Sequence, residues 1–331
     1  MGREEIEALF SKFAGLKVLV IGDVMIDAYV WGKVDRISPE APVPVIRVTA
    51  KEDRLGGAAN VALNVAALGA TPIICAIAGS DLKGGVLTDL LSENGMSAEG
   101  IVHSPERPTT VKTRVISSHQ HIVRVDEESL APLSSREEEE LLHRIGQLMD
   151  SEKPDVVIFE DYNKGMLTPR VIEASIAAAQ SRGIPTAVDP KKEQFFAYRG
   201  VSLFKPNLKE LAEGLKRDIP KGDLPALEEA VVALEAELGN AISLITLSEH
   251  GVYVKANGSS HHLPAHIRKI ADVSGAGDTV ISVAALCLAL GTAPEVMAAL
   301  SNLAGGLVCE KVGVVPVEKE QLLREALKGV G

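Results

Sequence analysis

Short apolar runs alternate with helical segments through the second half of the chain. The apolar runs cover residues 156–160, 186–189, 203–205 and 243–247, and helical patterns occupy about 169–182, 208–215 and 224–238. A strand that returns to its sheet through a helix makes a right-handed crossover and lies parallel to its neighbour. Another buried strand at 16–22 and closing helices at 277–290 and 294–308 extend the pattern. We therefore predict an α/β fold with helices around a mostly parallel sheet.

The composition supports this fold and excludes some partners. Aromatic residues make up 3% of the chain, so the core must be built from aliphatic side chains, which suits a buried parallel sheet. The formal net charge of −11 argues against a general nucleic-acid binder, which would be basic. A phosphate ligand must then be held locally, by a few cations and backbone N–H groups.

We expect a cytoplasmic protein. The first residues form a charged amphipathic segment that does not resemble a signal peptide, and no apolar run has the length of a membrane span. The three cysteines, Cys75, Cys287 and Cys309, form no C-x-x-C pair and are expected to be buried free thiols. The histidines show no metal-binding spacing, so we expect them at surface positions.

Two segments lack helical periodicity and predict a small β-element that projects from the main sheet. They cover about 28–50, which contains three prolines, and 109–126, which alternates apolar and polar residues. A late hairpin is expected around Asn257-Gly258. A helix at 135–149 is expected to start with a capping box formed by Ser135 and Glu138.

The string from Asp272 to Thr279, DVSGAGDT, is the strongest local motif. Small residues at Gly275, Ala276 and Gly277 allow backbone N–H groups to converge at a helix N-terminus, which makes an anion site. Asp278 then lies in the first helical turn, where a carboxylate can accept the proton of an attacking hydroxyl. An acidic cap on a glycine-rich turn is the alternative interpretation, and the length of the string favours the anion site.

This string resembles the D-x-[TS]-G-A-G-D signature of the ribokinase-like (PfkB) sugar kinases. Three other strings resemble family elements in the family's order: GGAAN at 56–60, KPNLKE at 205–210 and TLSEHG at 246–251. The resemblance implies a ribokinase-like three-layer α/β/α domain over 1–331, with the β-element at 28–50 and 109–126 as a lid. It implies an ATP-dependent kinase that requires Mg²⁺, with Asp278 as the base and residues 275–277 as the anion hole.

A closer resemblance exists to the bacterial D-glycero-β-D-manno-heptose 7-phosphate kinases. It rests on GDVMID at 22–27, RISPEAPVPV at 36–45, DYNKG at 161–165 and VDPK at 188–191. These kinases phosphorylate O1 of the heptose to the 1,7-bisphosphate, for ADP-heptose and lipopolysaccharide. In many of them a nucleotidyltransferase domain follows. No such domain is expected in this chain, because its H-x-G-H-type motif is missing.

The resemblance assigns a role to each site residue. The sugar is expected to contact Asp27, Gly56, Gly57 and Asn60, and its phosphate the cations Arg36, Lys164 and Lys191. Further cationic candidates are Lys112, Arg114 and Arg124. The nucleotide and its metal are assigned to Asn207, Glu210 (Mg²⁺ through water), Thr246, Ser248, Gly251 and Asn302. K⁺ activation is implied by Asp272, Lys311 and Gly313.

Some residues differ from the family pattern, and alternatives stay open. Ser274 replaces a threonine, Glu160 and Asn163 stand where smaller residues are usual, and Lys192-Glu193 also differs. Another PfkB sugar or sugar-phosphate kinase is the main alternative, and a non-catalytic sugar-binding regulator is a remote one. A Rossmann dehydrogenase is disfavoured because no G-x-G-x-x-G follows the first strand. We expect a homodimer that pairs through the lid.

Overall fold

The structure is a computed structural model that describes residues 2–117, 120–266 and 268–329. The strands are β1 Lys17–Gly22, β2 Val24–Ile37, β3 Pro44–Gly57, β4 Thr71–Gly79, β5 Ile101–Ser104, β6 Val111–Ser117, β7 Gln120–Glu127, β8 Val156–Glu160, β9 Thr186–Asp189, β10 Leu203–Phe204, β11 Ile242–Thr246, β12 Val252–Ala256 and β13 Ser259–Leu263. The helices are α1 Arg3–Lys12, α2 Ala58–Ala67, α3 Leu82–Glu93, α4 Ser135–Glu152, α5 Pro169–Ser181, α6 Leu208–Leu215, α7 Leu224–Leu238, α8 Ala276–Ala289, α9 Pro294–Val308 and α10 Lys319–Gly329.

Nine strands form the main sheet, in the order β13-β12-β11-β10-β9-β8-β1-β4-β5. The pairs from β11 to β5 are parallel, and β12 and β13 add an antiparallel hairpin at one edge. Every residue of β8 and β9 is buried, so both faces of the sheet are covered, as parallel sheets require. The predicted mostly parallel α/β fold is confirmed.

Helices supply the two outer layers of this fold. α2, α8 and α9 pack together and against strands of the sheet, while α4 and α5 pack on each other. α8 is buried over most of its circumference because its sequence is apolar on all sides. The start of α4 corrects the predicted capping box: the reciprocal bonds join Ser134 and Glu137, one residue earlier than the predicted pair.

A second, four-stranded sheet in the order β3-β2-β6-β7 forms the lid. Its strands cover 24–37, 44–57, 111–117 and 120–127, so the first strand begins four residues before the predicted segment 28–50 and the third begins two residues after the start of the predicted segment 109–126. Consequently Asp27 lies within β2 and not in a loop after β1. Residues 118 and 119, inside the predicted lid, lie outside the described residues.

Other predicted elements agree with the structure, and a few were missed. The hairpin around Asn257-Gly258 is present as β12 and β13, and α6, α7 and α9 have the predicted bounds. The sequence patterns did not predict α3, β5 or α10. No helix among the described residues combines the length and apolarity that a membrane crossing requires.

Candidate active site

The N-terminus of α8 points its free N–H groups at the carboxyl ends of the central strands. Gly275 precedes the helix at φ 79°, in the left-handed region that glycine adopts without strain. The first intrahelical bond is donated by the Thr279 N–H to the Gly275 carbonyl, at 3.0 Å. The N–H groups of Gly277 and Asp278 therefore have no acceptor within the helix, which makes this end suitable for an anion.

Asp278 lies in the first turn of α8 and is 5% exposed. Its Oδ2 accepts a hydrogen bond from Asn60 Nδ2 at 2.6 Å, and its Oδ1 accepts one from the Tyr162 hydroxyl at 2.8 Å. Burial raises the pKa of this carboxyl, while the bond from Asn60 opposes the increase. The structure thus joins two residues that are 218 positions apart in sequence, and both were predicted site residues.

Two more acidic side chains lie beside Asp278. Glu160 and Asp189, paired at the ends of β8 and β9, each place a carboxylate oxygen so that all three residues have ligand atoms within 4.8 Å of one another. Burial, then Asp189 and Asp278, raise the pKa of Glu160 well above its ordinary value. Lys205 Nζ lies 2.8 Å from Asp189 Oδ2 and is itself 2% exposed. A Cβ on Gly277 would lie 3.7 Å from that ammonium, so Lys205 adjoins the free N–H groups of α8.

The turn after β8 holds Tyr162 in place. The buried carboxylate of Asp23 accepts the backbone N–H of Tyr162 at 2.8 Å and that of Lys164 at 3.1 Å. Asp161 accepts the hydroxyl of Tyr198 at 2.9 Å, and burial raises the pKa of Asp161 to about 6. This network fixes the backbone that carries the Tyr162 ring toward Asp278.

The site face of the lid carries the predicted sugar residue Asp27. Its buried carboxylate pairs with Arg114, a short contact between neighbouring lid strands. A Cβ on Gly56 would lie 2.4 Å from Asp27 Oδ2, and one on Gly57, at φ 59°, would lie 2.3 Å from the carbonyl of Asp23. Both glycines are therefore required by close packing around Asp27 and the start of α2.

Two neighbouring lysines, Lys112 and Lys164, lie between the lid and the turn after β8. Lys112 Nζ lies 5.7 Å from the ring centroid, and Lys164 Nζ lies 2.8 Å from Glu128 Oε2. Burial, and then the charge of Lys164, lower the pKa of Lys112. Among the described residues Lys112 forms no ion pair, so a half-buried ammonium remains available beside Tyr162.

Lys191, a predicted phosphate cation, also lies near the Tyr162 ring and pairs with carboxylates. Its Nζ lies 2.6 Å from Glu210 Oε1, 3.8 Å from Asp189 Oδ1 and 5.5 Å from the Tyr162 centroid. Burial opposes its charge, but Asp189 and Glu210 outweigh burial and raise its pKa. Lys191 therefore bridges the sugar side to the residues predicted for Mg²⁺ and ATP.

Asn207 and Glu210 form a reciprocal capping box at the start of α6. Each side chain accepts the other residue's backbone N–H, in both cases at 2.8 Å. Asn207 also forms a parallel bridge with Thr246, the last residue of β11. The capping bond uses only one carboxylate oxygen of Glu210, and the other oxygen pairs with Lys191. The predicted nucleotide residues are thus contiguous at this end of the sheet.

The remaining predicted nucleotide residues lie further along the same edge. Ser248 at φ 54° and Gly251 at φ 88° shape the turn between β11 and β12, where a Cβ on Gly251 would lie 2.0 Å from the Leu263 carbonyl. Asn302 on α9 donates to the Pro264 carbonyl at 2.9 Å. Ser248 and Gly251 thus follow the end of β11, and Asn302 contacts the segment that follows β13.

Asp272, the predicted K⁺ residue, organises the loop before α8. Its carboxylate oxygens accept the backbone N–H groups of Ser274 and Gly313, each at 3.0 Å. These bonds lower its pKa although partial burial opposes the effect. Lys311 is directed elsewhere and pairs with Glu318.

Arg36 is not brought together with the other predicted residues. It is exposed near the outer end of β2, nine residues beyond Asp27 on the same strand. At about 3.3 Å per residue this separation is roughly 30 Å. Its predicted contact with the sugar phosphate is therefore not supported within one chain.

Sequence reasoning missed several residues that the structure places at the site. The additions are Tyr162, Glu160, Asp189, Lys205 and Asp23, each at or just beyond the end of a central strand. Their shared position at strand ends could have identified them from the sequence, because the carboxyl ends of parallel strands meet at one edge of the sheet. All of them except Glu160 also lie inside strings that the sequence analysis quoted.

This fold and site define a carbohydrate kinase: a lidded α/β domain with a buried carboxylate at a helix N-terminus. The model of the pfkB family carbohydrate kinases matches residues 16–320. The chain belongs to this family and is an ATP-dependent carbohydrate kinase.

Curated relatives and solved structures agree with this classification. The bifunctional protein HldE of Geotalea uraniireducens is 40% identical over 326 residues, covering 98% of this chain and 66% of that protein. The bifunctional protein HldE of Koribacter versatilis is 42% identical over 306 residues, covering 92% of this chain and 62% of that protein. This chain thus spans about two thirds of their length. Phosphofructokinase-2 from Escherichia coli in complex with potassium has the same fold, with a TM-score of 0.77 and 20% identity over 93% of this chain and 97% of that one.

Proposed function

We propose that this protein transfers the γ-phosphoryl group of ATP to O1 of D-glycero-β-D-manno-heptose 7-phosphate and forms the 1,7-bisphosphate. The kinase class follows from the family, and the sugar assignment is the proposal. Its support comes from the strings shared with heptose kinases and from relatives named bifunctional protein HldE. The observation that carries it is the lysine pair beside Tyr162.

Lys112 and Lys164 provide a site for a second phosphate on the acceptor. Two half-buried ammonium groups in proximity repel each other, and an anion between them relieves that cost. Lys112 lies over the ring of Tyr162, whose hydroxyl bonds to Asp278, and Lys164 lies close enough to Lys112 to lower its pKa. A sugar with a phosphate at one end and its reacting hydroxyl at the other can therefore contact both groups at once. An unphosphorylated sugar leaves Lys112 without a counter-charge, whereas Lys164 keeps its ion pair with Glu128.

Asp278 acts as the general base in this proposal. Its carboxylate accepts the proton of O1 while the oxygen attacks the γ-phosphorus. Asn60 and Tyr162 occupy one lone pair on each oxygen and orient the carboxylate. The N–H groups of Gly277 and Asp278, together with Lys205, stabilise the negative charge of the transferring group. Asp27 and Arg114 bind sugar hydroxyls from the lid.

The residues present fit a nucleotide and a divalent cation. Free N–H groups at α8 suit phosphate oxygens, and the carboxylate of Glu210 is a hard oxygen donor of the kind that Mg²⁺ prefers. When bound, the cation neutralises phosphate charge. Asn207, Thr246, Ser248, Gly251 and Asn302 remain the proposed nucleotide contacts. Asp272 remains the proposed organiser of a K⁺ site in the loop before α8.

Turnover of ATP with a panel of acceptors tests the assignment. We expect kcat/KM for the heptose 7-phosphate to exceed that for the unphosphorylated heptose by at least about a hundredfold, because the half-buried Lys112 has no counter-charge without the substrate phosphate. Fructose 6-phosphate, ribose and a nucleoside serve as the other acceptors. Equal kcat/KM for the two heptoses contradicts the proposed phosphate site, and a preference for another sugar phosphate contradicts the heptose assignment alone.

A further inference from the structure

Glu160 ends β8 with a carboxylate that has no partner. The side chain is fully buried, and neither of its oxygens has a hydrogen-bond partner among the described residues. Its backbone is fixed, because β8 pairs with β1 and β9 and the Glu160 carbonyl accepts the N–H of Asp23 at 3.1 Å. A buried carboxylate without a compensating group is costly, so this position calls for a ligand.

The oxygens of Glu160 point into a cluster of further oxygen donors. Glu160, Asp189 and Asp278 each have a ligand atom within 4.8 Å of the other two. The first two lie opposite each other on neighbouring strands, and α8 brings Asp278 to them. Carboxylate oxygens are hard donors of the type that Mg²⁺ and Mn²⁺ prefer.

The charge of this region matches one divalent cation. The ionisable groups are four carboxylates and two ammonium groups: Glu160, Asp189, Glu210 and Asp278 against Lys191 and Lys205. When all are ionised, two negative charges are left over. Both lysines are directed to other carboxylates, and no ion pair joins either of them to Glu160 within the described ranges.

We propose that Glu160, Asp189 and Asp278 together bind one divalent cation, Mg²⁺ under cellular conditions, in the absence of nucleotide. This ion is held by protein carboxylates and is additional to the Mg²⁺ that accompanies ATP near Glu210. It supplies the partner that the oxygens of Glu160 lack and removes the excess negative charge beside the anion hole. The ion occupies the site before the substrates bind, and Asp278 is released from it to act as the base in the substrate complex.

Mn²⁺ binding to the free enzyme tests this proposal, with neither nucleotide nor sugar present. Electron paramagnetic resonance and calorimetry measure the bound Mn²⁺. We expect about one ion per chain in the wild type and an affinity at least about tenfold lower in Glu160→Gln. Glu139→Gln, on the exposed surface of α4, changes the formal charge equally and should bind Mn²⁺ like the wild type. The outcome is independent of which sugar the enzyme phosphorylates.

Thermal unfolding separates loss of the ion from loss of the fold. In the presence of EDTA, Glu160→Gln should be at least as stable as the wild type, because the amide has the same shape and cannot carry the charge that burial, Asp189 and Asp278 disfavour at this position. Added Mn²⁺ should raise the Tm of the wild type and leave that of Glu160→Gln nearly unchanged. The proposal is overturned if the wild type binds no Mn²⁺ at millimolar concentration, or if folded Glu160→Gln binds it equally well.

Discussion

The hydroxyl of Tyr162 donates a 2.8 Å hydrogen bond to Oδ1 of Asp278 across 116 residues of sequence. The same aromatic ring is approached by Lys112 at 5.7 Å and by Lys191 at 5.5 Å. Tyr162 therefore connects three parts of the site: the proposed base, the proposed phosphate site for the acceptor, and the residues near the nucleotide. Several predictions about the reaction depend on this one side chain and its partners.

Asp278→Asn should lower kcat by about a hundredfold or more and leave ATP binding intact. The amide preserves the shape of the side chain but cannot accept the proton of the attacking hydroxyl. Steady-state kinetics and calorimetric titration with ATP measure the two effects. Asp89→Asn, an exposed position on α3, is the matched control and should retain wild-type activity. Near-normal kcat in Asp278→Asn contradicts the assignment of the base.

Tyr162→Phe should reduce kcat by roughly tenfold and change KM for the sugar phosphate much less. The substitution removes one hydrogen bond to a charged group, which is worth about 1.5–3 kcal/mol, and keeps the aromatic face beside Lys112. Tyr162→Ala removes the ring as well and should raise KM. If Tyr162→Phe has wild-type kcat, the hydroxyl does not position Asp278 for catalysis.

The lowered pKa of Lys112 predicts that kcat/KM for the phosphorylated sugar depends on pH. Its pKa is lowered by burial and by Lys164, so the free enzyme loses this charge at a lower pH than an ordinary lysine would. Because kcat/KM reports the free enzyme, its value for the sugar phosphate should fall as pH rises through the lowered pKa.

The matched variant for this pH effect is Lys112→Arg. Arginine stays charged over the whole accessible range, so the alkaline decline that belongs to position 112 should disappear. The comparison uses the phosphorylated and the unphosphorylated sugar at each pH. An identical alkaline profile in the wild type and in Lys112→Arg would show that Lys112 does not bind the substrate phosphate.

The sequence predicts the main sheet well because each of its strands is continuous, apolar and followed by a helix. It also predicts that Asp278 lies in the first turn of a helix, since residues 275–278 form one local unit at a helix start, while its role as the base stays a prediction. The first strand of the lid was predicted to begin four residues too late. β2 follows β1 after a single residue, so the pattern of apolar residues does not show where the main sheet ends and the lid begins.

The rest of the site depends on packing between distant segments. Glu160 belongs to an apolar strand in sequence, and its meeting with Asp189 and Asp278 follows from strand order and from the position of α8. Lys191 was assigned to the sugar phosphate, but its pairing with Glu210 directs it toward the nucleotide side. The local sequence does not show which carboxylate a lysine pairs with in the folded protein.

The two faces of the lid predict a homodimer. One face carries Asp27, Lys112 and Arg114 and is directed at the site. On the opposite face the register aligns Val30, Val115 and Val123 across three strands, followed by Val125 on β7. The side chains of Val123 and Val125 are 48% and 49% exposed, an apolar surface that pairing with a second lid would cover.

Light scattering at micromolar concentration should therefore give the mass of two chains for the wild type. Val125→Glu should shift the mass toward one chain, because it places a charge in an apolar interface. The control is Val232→Glu on α7, where the valine is equally exposed at 50% but lies outside the lid, and this variant should remain dimeric. A monomeric wild type contradicts the predicted dimer. A Val125→Glu variant that stays dimeric places the contact elsewhere on the protein.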